Sequence, residues 1–254
     1  MSAALLEVVG ITKRFDRLAA LSDVSVRVEA GEAVGVVGPN GAGKTTLFDC
    51  VLGVVRPDAG SVVFDGRRVD RMPPFRRGLL GIGRTFQRLE LFSGMTPREH
   101  LLVTERVRGG EGRLWKDVIG LGRPKPGERR EAAALLELVG LTDVADVPVD
   151  ALSLGQGRLV ELARALVGPP KLLMLDEPSS GLDDAERAKL VSVLLRVRHE
   201  RGVSVVMVEH DLDLVTAVVD RLVVLDAGRK IADGPVDAVI SDPAVRHAYL
   251  GVVR

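Results

Sequence analysis

The residues best equipped for chemistry stand in a glycine-rich octet, Gly38-Pro39-Asn40-Gly41-Ala42-Gly43-Lys44-Thr45. The octet fits the spacing G-x-x-x-x-G-K-[ST]. Its glycines let the backbone wrap closely around a phosphate group, and the N–H groups that open the following helix bind the anion. In this arrangement Lys44 reaches β- and γ-phosphates and the Thr45 hydroxyl ligates Mg2+, with Thr46 in the same first helical turn. A second centre closes another apolar run, Leu172-Leu173-Met174-Leu175-Asp176-Glu177. A strand end beside a phosphate loop is where a carboxylate holds Mg2+, the role expected of Asp176. Glu177, one residue on, is placed to polarise an attacking water. Taken alone, the two acids read equally as a turn after a core strand.

These groups need strands that end at one edge of a sheet. Short β-branched runs alternate with longer amphipathic stretches, the pattern of parallel strands linked by helices, so the fold class is α/β. Strands are expected at Leu5–Ile11, Ser22–Val28, Ala33–Val37, Ser61–Phe64, Leu172–Leu175, Ser204–Val208, Arg221–Leu225 and Lys230–Ala232. Ala33–Val37, Leu172–Leu175 and Ser204–Val208 are nearly all apolar, as the buried centre of a sheet covered on both faces must be. From about Gln87 to Gly168 the strand signal disappears. Helical periodicity replaces it in Pro97–Arg108, Glu128–Val139 and Gly155–Val167, with a loop expected at Arg123-Pro124-Lys125-Pro126-Gly127.

Composition narrows the function classes. Lys plus Arg and Asp plus Glu number 35 each over 254 residues, so no net positive field is available to grip nucleic acid. Apolar residues make up 46%, yet charges interrupt each apolar run before the roughly 18 residues of a membrane helix. Glu7 falls within the first apolar stretch and no basic segment precedes it. That end reads as a strand and not an export signal, and synthesis is expected to finish in the cytosol. The single cysteine, Cys50, excludes an internal disulfide framework and reads as a small buried side chain.

Leu152-Ser153-Leu154-Gly155-Gln156, upstream of the Asp176 strand, resembles the signature motif of ABC-type ATPases. Other elements of that family follow in its order. Phe15 looks like the aromatic that stacks on adenine. Arg84-Thr85-Phe86-Gln87 looks like the glutamine loop, with Gln87 directed at Mg2+ and water. Ser179-Ser180-Gly181-Leu182-Asp183 resembles the loop that crosses between nucleotide-binding domains, and His210 looks like the switch histidine on the γ-phosphate. His100, His199 and His247 have no such context and read as surface or packing residues. The resemblance covers nearly the whole chain. Residues 81–102 and the tail around Gly234-Pro235 and Ala248-Tyr249-Leu250-Gly251 are similar to ATP-binding subunits of branched-chain or polar amino-acid importers. Leu154 stands where that family usually has glycine, and Gly157 where a polar or basic residue is common. Ser153 and Gly155, which approach phosphate, are retained.

The resemblance implies a P-loop NTPase of the ABC ATPase type: one ATP-binding domain, with residues 1–86 and 169–254 as the sheet core and 87–168 as an inserted helical subdomain. It implies ATP and Mg2+ as ligands. It also implies a second ATP-binding subunit, identical or different, met head to tail so that ATP lies between the phosphate loop of one chain and Ser153, Gly155 and Gln156 of the other. Glu177, Lys44, Gln87 and His210 would carry catalysis. Transmembrane permease subunits would dock near Phe86 to Phe92 and hold the chain at the cytoplasmic face of the membrane. A substrate-binding protein is implied if transport is inward, and no nucleic acid is. Trp115, in the insert, reads as a packing residue. The competing classes are an exporter or lipid-transport ATPase and a non-transport ABC ATPase acting on nucleic acid or ribosomes.

Overall fold

A computed structural model describes residues 4–85, 89–108 and 126–250 of the chain. The strands are β1 (Leu6–Phe15), β2 (Leu18–Val28), β3 (Ala33–Val37), β4 (Ala59–Phe64), β5 (Arg67–Arg68), β6 (Ile82–Arg84), β7 (Leu172–Asp176), β8 (Ser204–Val208), β9 (Arg221–Asp226) and β10 (Arg229–Pro235). The helices are α1 (Lys44–Leu52), α2 (Pro74–Leu80), α3 (Pro97–Arg108), α4 (Pro126–Leu138), α5 (Leu154–Leu166), α6 (Asp184–Arg201), α7 (Leu212–Val218), α8 (Val236–Ser241) and α9 (Pro243–Leu250).

Every residue of β3 and β8 is buried, and β7 is buried up to Asp176, because none of these runs has a polar face to offer water. They form the parallel centre of a six-stranded sheet of order β10-β9-β3-β8-β7-β6, with antiparallel β10 at one edge. Such strands need helices on both faces. Leu47, Phe48 and Val51 of α1 pack on one face against Val34, Val36, Met174 and Val206. Leu162 of α5, Leu194 of α6 and Val215 of α7 pack on the other against Val37, Leu175 and Met207. Each fully buried Leu or Val contributes about 1.5–3 kcal/mol relative to exposure. A second, antiparallel sheet, β2-β1-β4-β5, adds Leu6, Ile11, Val26 and Phe64 to the cluster around α1.

The helix after β3 and the helices after β7 and β8 thus lie on opposite faces. In open α/β sheets that divergence leaves a crevice at the carboxyl ends of the strands, where ligands bind. Among the described residues 89–108 and 126–168 there is no strand, and α3, α4 and α5 join the core cluster on the α6 side.

Several expectations need correction or placement. Pro126 and Gly127 do not lie in a loop but open α4. A proline in the first turn gives up only an N–H that has no intrahelical partner, and its φ is already helical. Residues 123–125 and Trp115 lie outside the described residues. Cys50 is fully buried, and burial pushes its thiol up to about 11, which fits packing. His100 is buried and hydrogen bonded: its Nε2 accepts from the Phe92 N–H at 2.9 Å, and its Nδ1 faces the Thr96 carbonyl at 2.9 Å. His199 and His247 are exposed. No helix among the described residues is long and apolar enough to cross a membrane.

Candidate functional site

β3 delivers the chain to the crevice, and Gly38 turns it. Its φ is +150°, and a Cβ there would meet the Leu225 carbonyl oxygen at 2.1 Å, so only glycine fits. Gly43, at φ +99°, is the N-cap of α1 and no side chain caps the helix, which leaves the first N–H groups of α1, at Lys44, Thr45 and Thr46, open to an anion. Pro39, Asn40 and Gly41 form the outer rim, and Ala42 is buried beneath them. The Lys44 ammonium lies back along the loop, donating to the carbonyls of Gly38 (2.7 Å) and Pro39 (3.0 Å). Burial lowers its pKa, and the nearby Glu177 and Asp176 carboxylates oppose that shift.

Register places the acids beside this loop. Val36 of β3 pairs with Val208 of β8, and Val208 with Asp176 of β7, so the three strands reach the crevice at one level. Burial first, then repulsion from Glu177, Asp49 and Glu209, raises the Asp176 pKa to about 6 against the pull of Lys44. Its Oδ1 is buried with no hydrogen-bond partner. Glu177 takes φ +44°, an uncommon conformation for a non-glycine residue and a frequent mark of functional sites. Its N–H donates to the Val208 carbonyl at 2.9 Å. His210 follows β8 with its side chain 62% exposed in the crevice mouth.

Glu209, adjacent to His210, is one residue that sequence reasoning missed. Fully buried, it accepts from Ser179 N (2.8 Å) and Ser179 Oγ (2.6 Å) through Oε1 and from His210 N (3.1 Å) through Oε2. One carboxylate therefore fixes the loop after Glu177 to the turn that carries His210. A glutamate directly after an apolar strand was the available signal.

A second cluster forms where α5 and α6 begin. Ser153 caps α5 by accepting from Gln156 N (3.2 Å), and the Gln156 side chain accepts from Ser153 N (2.9 Å). Asp183 caps α6 by accepting from Glu186 N at 2.8 Å. Leu154 is 41% exposed and packs on Gly181, where a Cβ would lie 2.9 Å from its Cδ2. Gly157 is buried under Leu89, and a side chain there would collide at 2.9 Å. Both departures from the signature pattern are thus packing solutions. Among the described residues no hydrogen bond joins this cluster to the phosphate loop. Phe15 is 46% exposed at the end of β1, with Lys13 Nζ 5.3 Å from its ring centre. Gln87 lies outside the described residues. Thr85, the last described residue before it, donates its N–H to the Met174 carbonyl at 3.0 Å.

Between α2, β6, α3 and α5 runs a groove of about 590 Å3 lined by Phe75, Leu79, Phe92, Val107, Arg84 and Arg164 among others. Phe75, Leu79, Phe92 and Val107 are each more than half exposed. Its α5 wall holds the segment before Phe92: Glu161 Oε1 accepts from Glu90 N (2.9 Å), and Arg164 donates to the Glu90 carbonyl (2.6 Å).

A phosphate loop at the switch point of an α/β sheet, with carboxylates on the neighbouring strand ends, defines a P-loop nucleotide hydrolase. The chain belongs to the ABC transporter family, which residues 21–180 match, and residues 229–253 match the branched-chain amino acid ATP-binding cassette transporter family. It is 38% identical to BraF, a high-affinity branched-chain amino acid transport ATP-binding protein of Pseudomonas aeruginosa, over 99% of each chain. It is 34% identical to LivG, the protein of the same description in Escherichia coli, over 99% of each chain. LptB of Haemophilus influenzae, a lipopolysaccharide export ATP-binding protein, is 35% identical over 98% of each chain. Among solved structures, the ADP conformation of an ATP-binding cassette of an ABC transporter matches with a TM-score of 0.87 at 32% identity, over 98% of this chain and 100% of that one. The chain binds nucleotide and is an ATPase that powers a transporter.

Proposed function

We propose that this chain is the ATP-binding subunit of a branched-chain amino-acid importer, peripheral to the cytoplasmic face of the membrane through permease subunits. The observation that carries this reading is the match of β10, α8 and α9 to the branched-chain family, because these elements lie outside the motor motifs shared by importers and exporters. Deleting the gene should abolish high-affinity uptake of radiolabelled leucine, isoleucine and valine, and the intact gene should restore it. Unchanged uptake of all three would refute the assignment. The likeness to a lipopolysaccharide-export ATPase favours one second reading, lipid export, which the same deletion would reveal as an envelope defect.

In this reading adenine stacks on Phe15, and the phosphates lie over Gly38 to Thr46. Lys44 exchanges its bonds to the Gly38 and Pro39 carbonyls for β- and γ-phosphate oxygens. Thr45, Asp176 and Gln87 would hold Mg2+, which would offset the charge of the phosphates. Asp176 suits that role because its buried Oδ1 lacks a partner that a cation supplies. Glu177 accepts a proton from water as the water oxygen attacks the γ-phosphorus and the bond to the β,γ-bridging oxygen breaks, leaving ADP and phosphate. His210 holds the γ-phosphate from the mouth of the crevice. Ser153, Gly155, Gln156 and Asp183 serve the nucleotide of a second ATP-binding chain, a copy or a companion, paired head to tail. That no hydrogen bond joins these residues to the phosphate loop, among the described residues, supports this pairing. The groove receives a short amphipathic permease helix, since its exposed Phe75, Leu79, Phe92 and Val107 form an apolar strip that water solvates poorly. For an importer a substrate-binding protein completes the system.

A further inference from the structure

Ser153 and Gly155 are already engaged by an anion from their own chain. Glu186 Oε1 accepts from Ser153 Oγ at 2.9 Å and from Gly155 N at 3.0 Å. These are the donors assigned above to the partner's nucleotide. The carboxylate sits at the positive end of the 13-residue α5, where negative charge is favoured. It sits so close to the backbone that a Cβ on Gly155 would be 2.6 Å from Glu186 Cδ.

We propose that Glu186 is a placeholder for the terminal phosphate on the signature half-site, and that ATP-driven pairing exchanges this carboxylate for phosphate. The inference rests on the head-to-tail reading given above. Glu186 has a second place to go: its Oε2 already faces Asp183 N at 3.4 Å in the capping box of α6, where Asp183 accepts from Glu186 N at 2.8 Å. Moving the carboxylate fully onto Asp183 frees Ser153 and Gly155 while α6 keeps its cap. Ser153 is exposed and Glu186 half-buried, so an incoming phosphate reaches both. A terminal phosphate carries more charge than one carboxylate and displaces it. Once phosphate departs, the carboxylate returns and opposes re-pairing until new ATP binds.

The test compares Glu186→Gln and Glu186→Ala with the parent, all in a Glu177→Gln background that holds ATP unhydrolysed. Sedimentation velocity measures dimer formation against Mg-ATP concentration. In Glu186→Gln, which keeps an oxygen for the cap but no charge, half-maximal pairing should need about three- to tenfold less ATP, the range expected for removing a competing charge at a helix terminus. Binding of a fluorescent ADP analogue to the monomer should be unchanged. Amide exchange of Gly155 in the nucleotide-free chain should accelerate at least about threefold in Glu186→Ala, as expected for a lost hydrogen-bond acceptor. An unchanged or higher ATP requirement, or unaltered Gly155 exchange, would overturn the proposal. If the parent fails to pair with ATP, both alone and mixed with its companion ATP-binding chain, while Gly155 exchange responds, the head-to-tail reading fails and the exchange step falls with it.

Discussion

Replacing Glu209 tests whether one buried carboxylate couples two loops of the site. It is 0% exposed and accepts from Ser179 N, Ser179 Oγ and His210 N at 2.8, 2.6 and 3.1 Å. Glu209→Ala removes all three acceptor contacts. An unpaired buried donor costs about 1–3 kcal/mol, and Glu209→Ala strips the Ser179 and His210 donors of their acceptor at once, so a loss of about 2–4 kcal/mol is expected. Glu209→Gln keeps the shape but has one oxygen: if that faces Ser179, the amide NH2 confronts the His210 N–H. The expected cost is about 1–2 kcal/mol. Urea unfolding of the nucleotide-free chain gives both numbers. ATP turnover should fall more than about tenfold in Glu209→Gln, with nucleotide affinity nearly retained, because the phosphate loop is untouched and the His210 turn is loosened. Stabilities of both variants within about 0.5 kcal/mol of the parent, the range of an ordinary surface substitution, would refute the coupling.

Asp176 makes the nucleotide-free fold pH-dependent. Its pKa is raised to about 6, so its favourable contribution is complete below the unfolded carboxylate value and is lost as pH rises toward 6. After discounting for its solvent-exposed part, stability should fall by about 1–2 kcal/mol across that window, and Asp176→Asn should remove that component in unfolding curves at pH 4.5 and 7. Lys44→Ala should weaken Mg-ATP binding about a hundredfold by calorimetry, as loss of a charge-assisted phosphate contact in a buried loop implies, and wild-type affinity would contradict the cradle. Glu177→Gln should lower turnover at least about a hundredfold while ATP still binds, and unaltered turnover would remove Glu177 from catalysis.

The central strands were legible because β3, β7 and β8 are nearly all apolar runs that only a doubly covered sheet can accommodate. The phosphate loop was legible because its chemistry is backbone chemistry, fixed by glycine spacing. β5 and β6 were not. Arg67 and Arg68 are exposed charges, and Ile82-Gly83-Arg84 is too short for alternation to emerge, so partner strands and not local preference decide both. Asp183-x-x-Glu186 is a readable capping box, but the contact of Glu186 with Ser153 spans 33 positions and leaves no trace in spacing. Glu209 is hidden for a similar reason: a lone acid beside a histidine looks like solvent-exposed turn chemistry until the Ser179 loop is seen folded over it.

α5 spans from the Ser153 cluster to the wall of the groove. It is 13 residues long, about 20 Å at 1.5 Å per residue, with Gly155 near one end and Arg164 near the other. Glu161 and Arg164, toward its far end, line the groove and hold Glu90. A tilt of about 10° about Arg164 would carry Gly155, nine residues or about 13 Å away, through roughly 2 Å, enough to sever a hydrogen bond its N–H makes. On the proposed function, such a helix would need no relay of small adjustments: leverage alone would convert a nudge at the membrane into release of a phosphate grip.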